Sequence, residues 1–218
     1  MAGCTTCAHD APPGGGDTPF RRILWIALAV NAAMFVAEVV ASYLASSVSL
    51  QADSLDFLGD AASYAITLFV LSMSPLARMR AALSKAAMMG AFGLFVVGMA
   101  IYHAIAGIVP EPVIMGPVAI LAFAANAGVA ALLFRHRTGD SNRRSVWLCS
   151  RNDAIGNLAV LVAAAGVWGS GTGWPDYAVA AVIAGLNLSA AIQVIRQVRR
   201  ERAVLATASA SPVHSPAE

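Results

Sequence analysis

The chain has 218 residues, of which 58% are hydrophobic and only 12% charged. Soluble domains carry about a quarter charged residues, so a water-soluble fold of this length could not hide so much apolar surface, and the composition points to lipid as the solvent. The net charge is +2, with no basic stripe interleaved with exposed aromatics, which excludes nucleic acid as a partner. The three cysteines, Cys4, Cys7 and Cys149, do not form the framework of a secreted disulfide domain and read as reduced thiols facing the cytoplasm.

Residues 1–20 form a polar arm, expected to be disordered and cytoplasmic. Within it Cys4, Cys7 and His9 have a spacing suited to metal capture, or belong to an incidental tail. The first apolar run, Ile23–Leu44, follows Arg21 and Arg22. It exceeds the ~7–15-residue core of a cleaved signal peptide and reads as a retained helix. Five more runs follow: Val48–Met73, Leu83–Ile108, Val113–Phe134, Val146–Trp168 and Pro175–Ile195. Each approaches or exceeds the ~20 residues that cross the hydrocarbon layer. Ser46-Ser47, Ser74-Pro75, Pro110-Glu111-Pro112 and the run Gly169–Gly173 punctuate them. Residues 203–218, rich in Ala, Ser and Pro, are expected to form a disordered cytoplasmic tail. The predicted fold is thus an all-α membrane protein, with six transmembrane helices over residues 21–202.

All 14 Lys and Arg residues fall at one end of these spans. They precede span one, lie between spans two and three and between four and five (Arg151 just inside span five), and follow span six. The opposite loops carry Glu111 and Asp176 instead, with Trp168, Trp174 and Tyr177 clustered there as interfacial aromatics. The positive-inside rule then places both termini in the cytoplasm.

Three carboxylates, Asp53, Asp56 and Asp60, lie within span two. Charges at that depth are costly, and neighbouring like charges repel unless protons or a cation neutralise them. Asp56 and Asp60 are four apart on one helical face, and Asp53 lies on the same stripe. Span five has a similar face in Cys149, Asp153 and Asn157. At ~1.5 Å per residue, Asp60 lies about 18 Å below the outer edge and Asp153 about 11 Å above the inner one. In a layer ~30 Å thick these levels nearly coincide. Asp56, Asp60, Asp153 and Cys149 are therefore the metal-ligand candidates. Three carboxylates and a thiolate suit zinc, cobalt or cadmium and argue against magnesium or calcium. Asp53, Asn157, Glu38 and Asn31 are accessory candidates. Glu38 lines a proton or ion path or hydrogen-bonds a neighbouring helix. Gly90, Gly93 and Gly98 are expected to allow close helix packing.

The order Asn31…Phe35…Glu38, then Ser46-Ser47-Val48-Ser49-Leu50-Gln51-Ala52-Asp53-Ser54-Leu55-Asp56-Phe57-Leu58-Gly59-Asp60-Ala61, resembles the signature of the cation diffusion facilitator family. That resemblance covers the six spans and implies proton-coupled export of zinc, cobalt, cadmium or related divalent ions, without a prosthetic group. It implies metal ligands at Asp56 and Asp60 in span two and at Asp153 in span five. Cys149 stands where the family often has His, which bears on the metal preference. The likeness is to a short form without the cytoplasmic domain that commonly follows span six. The homodimer it implies would be held by the spans. The expected setting is the cytoplasmic (inner) membrane of a prokaryote, with the bilayer, divalent metal ions and protons as partners. Two other classes stay open from the residues: a non-transporting membrane metal sensor, and an intramembrane aspartate-dependent enzyme.

Overall fold

The computed structural model describes residues 18–69, 75–135 and 141–210. They form six helices: α1 (Thr18–Ala45), α2 (Val48–Phe69), α3 (Pro75–Ala106), α4 (Pro112–Phe134), α5 (Ser141–Ser170) and α6 (Trp174–Ala210). No strand occurs among the described residues. The all-helical membrane fold expected from the apolar runs is the fold observed. Several helices overrun the apolar segments. α3 starts at Pro75 rather than Leu83, and α6 continues through Ala210, past the start of the predicted tail at Ala203. Ala and Arg have high helix propensity and prolong a helix that the apolar segment has already nucleated.

Among the described residues five helices are long and apolar enough to cross a bilayer, and α2 falls outside that set. It has 22 residues, and Asp53, Asp56 and Asp60 lie in its middle. Its aspartates and other polar residues break the apolar run, and its place in the fold accommodates them. No more than 33% of any of the five spans is buried within the protein, whereas most of α2 is. α2 packs against α1, α3, α5 and α6, which keep its carboxylates away from lipid. The closest pairings are α1 with α2, α3 with α6 and α4 with α5.

Helices α1 and α2 run antiparallel, joined by Ser46 and Ser47. Ser46 has φ 50°, a left-handed residue that reverses the chain in two positions. Met34 packs with Phe57, and Leu24 and Ala27 cluster with Tyr64 and Leu68. This register sets Asn31 at the level of Asp60 and Glu38 at the level of Asp53.

The end carrying the α1–α2, α3–α4 and α5–α6 connections, here the distal end, is tied together by polar contacts. Ser47 caps α2, its Oγ accepting the Leu50 amide at 3.2 Å. Asp176, in the first turn of α6, accepts the Val48 and Ser49 amides at 2.8 and 3.0 Å and the Ser47 hydroxyl at 2.7 Å. The Glu111 amide donates to the Ala45 carbonyl at 2.8 Å, linking the α3–α4 loop to α1. Gly107 and Gly171, at φ 67° and 64°, end α3 and α5 in the left-handed conformation that glycine adopts without strain.

Two sequence expectations at this end need correction. Asp176 is not a loop residue in water but a buried helix residue with 0% exposure. Tyr177 is not an interfacial aromatic: it is 6% exposed, and its hydroxyl donates to the His103 carbonyl at 3.2 Å and to the Ile108 carbonyl. Trp168 and Trp174 do have the exposed position expected of interfacial rings.

Candidate metal-transport site

The polar residues of α2 are arranged by its own backbone. Ser54, Ser63 and Thr67 return their hydroxyls to carbonyls three or four residues earlier, Gln51, Gly59 and Ser63, at 2.7–2.9 Å. Satisfied in this way, they are small neutral spacers in a low-dielectric core, and the aspartates are left as the groups able to act on a cation. Asp53 and Asp60 are buried and Asp56 is half-buried.

α5 brings Asp153 to this face. Its carboxyl is in side-chain contact with Asp60 and within electrostatic reach of Asp56 and then Asp53. Its Oδ2 is buried without a hydrogen-bond partner. The depth match predicted between Asp60 and Asp153 thus becomes a lateral contact between α2 and α5. Carboxylates brought together from two helices are a hard, anionic donor set for a divalent cation. Among the described residues no set of three or more His, Cys, Asp or Glu side chains is arranged to hold a metal ion. The backbone of Cys149 lies in α5, four residues before Asp153, and its side chain is outside the described residues, as are Cys4, Cys7 and His9.

Other predicted residues divide between this contact and its surroundings. Glu38 meets Asp53 rather than the Asp60–Asp153 contact. Asn157 is fully buried one turn along α5 from Asp153 and accepts from the Asn126 amide of α4 at 3.3 Å. Asn31 bonds back to the Ala27 carbonyl of its own helix at 2.8 Å, with Oδ1 buried and unpartnered.

The model of the cation efflux transmembrane domain matches residues 24–201. The chain belongs to the cation efflux family. It is therefore a multi-pass membrane protein of a family of metal-cation transporters rather than enzymes, and metal cations are its cargo. No individually curated protein matches the chain.

Three polar residues of this cation efflux domain escaped the sequence reading. Tyr64 is 2% exposed; its hydroxyl donates to Asp60 Oδ2 at 3.3 Å and lies 2.7 Å from the Ser150 hydroxyl. Tyr64 and Ser150 therefore join α2 to α5 on the side of the Asp60–Asp153 contact away from the distal end. The signal available was spacing: Tyr64 follows Asp60 by four residues and Ser150 precedes Asp153 by three, one turn away on the same faces. Asn126 gave no such signal, being a lone amide in an apolar helix.

Proposed function

We propose that this chain exports a divalent transition metal of the zinc, cobalt and cadmium class from the cytoplasm in exchange for protons. Asp56 and Asp60 of α2 and Asp153 and Cys149 of α5 are its ligands. The contact between Asp60 and Asp153 carries the reading, because it gathers anionic oxygen from two helices inside the span region. A thiolate from Cys149 would bias such a site toward borderline and soft ions. Ligands must lose protons to bind metal, so protons arriving from outside compete with the cargo and release it.

The charge asymmetry supports a cytoplasmic location for both termini, with the distal end outside. The proposed setting is the inner membrane of a prokaryote, where the chain works as a homodimer. The Cys4, Cys7 and His9 arm would collect the ion before it enters the site.

Metal uptake into inverted vesicles with an imposed pH gradient tests the function, comparing zinc, cobalt and cadmium in the wild type and Asp60→Ala. Gradient-dependent uptake that the variant loses is the expected result. Equal uptake in both, or none in either with correctly folded protein, would overturn it and favour a metal-binding sensor.

A further inference from the structure

Between the Asp60–Asp153 contact and the distal end lies a second pair of carboxyls. Glu38 of α1 is 0% exposed and Asp53 of α2 is 1% exposed. The two side chains interact with one another, yet both Glu38 oxygens and Asp53 Oδ2 lack a hydrogen-bond partner of normal geometry. At ~1.5 Å per residue, the pair is roughly 10 Å closer to the distal end than Asp60. Among the described residues no cationic side chain acts on either carboxyl. α4, packed on α1, contains no ionisable residue along its length. The charged groups acting on Glu38 are Asp53 and Asp56, both from α2. From α5, Asp153 reaches Asp53. His103 of α3 lies against the Ser46 backbone and Asp176, at the distal end itself.

Two ionised carboxylates held together at this depth, without a cation or donors, are strongly unfavourable. A proton bound to one of them removes a charge and supplies the missing donor. We propose that Glu38 and Asp53 form a proton-carrying site separate from the metal ligands, loaded from the distal side. One O–H bond forms on a carboxylate oxygen when the proton arrives and breaks when it leaves toward the cytoplasm. Asp56, one turn from Asp53 and one turn from Asp60, couples the two sites electrostatically. A bound metal lowers the negative charge along α2 and favours proton release. Metal departure restores that charge and favours reloading.

A purely structural role would be met equally well by amides, since Gln and Asn hydrogen-bond across the same interface. Proton carriage requires a group that titrates. The proposal rests on the proton-coupled transport reading, and the measurements separate the two. The full chain in proteoliposomes is assayed with zinc for equilibrium binding, for zinc–zinc exchange without a pH gradient, and for net uptake driven by one. Glu38→Gln and Asp53→Asn are expected to keep binding and exchange within about twofold while gradient-driven uptake falls at least tenfold. The paired exchange Glu38→Asp with Asp53→Glu should restore a substantial part of that uptake. Gradient-driven uptake unchanged in both amide variants would overturn the proton site alone. So would a parallel fall of exchange and uptake, which would mark the pair as part of the metal path or the packing. A wild type with exchange but no gradient-driven uptake would overturn proton coupling itself.

Discussion

Asp176 of α6 and Val48 of α2 are joined by a 2.8 Å hydrogen bond between a buried carboxylate and the first amide of a helix. The same carboxylate holds the Ser49 amide and the Ser47 hydroxyl, so one side chain serves donors that α2 cannot satisfy itself. The negative charge also lies at the positive end of the α2 dipole. The central helix is thereby fixed to α6 at one end, and the depth of its aspartates is set from that anchor.

Asp176→Ala would take the carboxylate acceptor from two buried amides and leave the Ser47 hydroxyl only its longer contact with Ser49. A loss of roughly 3 kcal/mol is expected. Asp176→Asn, which keeps an acceptor, should cost about half as much. Thermal unfolding of the detergent-solubilised protein distinguishes them, and equal midpoints in the two variants would contradict the charge-assisted cap.

Tyr64 holds Asp60 from below while touching Ser150. Tyr64→Phe preserves the ring and removes both hydrogen bonds, so it should cost about 1 kcal/mol of stability. If Asp60 is a ligand as proposed, zinc affinity should fall severalfold, because Asp60 loses a hydrogen-bond partner. Ser150→Ala should weaken affinity less, since it leaves the Tyr64–Asp60 bond in place. A double-mutant cycle with coupling of ~0.5 kcal/mol or more would establish the link between the two hydroxyls.

Asn126 and Asn157 bridge α4 and α5 at 3.3 Å. Interhelical hydrogen bonds of this kind contribute on the order of 0.6 kcal/mol in membranes. Asn126→Leu should therefore leave the fold intact and lower the melting temperature only slightly. Its larger effect is expected on Asn157, one turn from Asp153, and should be read as a change in zinc affinity by equilibrium binding.

Gly93 packs α3 on α6, and an added Cβ would lie 3.1 Å from Leu188 Cγ. A Cβ added at Gly90 would meet Ala191 Cβ at an ordinary 3.8 Å, and one added at Gly98 would meet nothing within 4 Å among the described residues. Close packing within the chain thus holds at Gly93 and to a lesser degree at Gly90, and Gly98 faces open space among the described residues. Gly93→Leu should destabilise by about 2 kcal/mol through overpacking, and Gly98→Ala should be neutral or slightly stabilising. Melting curves for the two variants provide the check.

The meeting of the α2 and α5 carboxyls is legible in the sequence because depth is a one-dimensional property. Counting residues at the rise of a helix puts Asp60 and Asp153 at one level, and the contact between α2 and α5 agrees with that count. Asp56 and Asp53 followed from spacing along one face. Tyr64 and Ser150 were within reach of the same counting. Their side chains resemble ordinary interfacial or packing residues, however, and nothing in composition sets them apart. Glu38 was legible as a buried acid but not as the partner of Asp53, which depends on the α1–α2 register fixed by the Ser46-Ser47 reversal.

The sequence by itself determined the solvent, the six helices and the level of each carboxylate. These follow from local thermodynamics: apolar runs partition into hydrocarbon, backbone polar groups then require helices, and cations stay at one end. Tertiary structure decided which helix lies at the centre and which side chains meet across it. It placed α2 inside, brought Asp153 to Asp60 and Glu38 to Asp53, and turned Asp176 from an outer-loop acid into the cap of α2. The physical reason is rotational. A helix apolar around most of its circumference has no strong preference for which face turns inward, so lateral pairing is set by packing and by the few buried polar contacts.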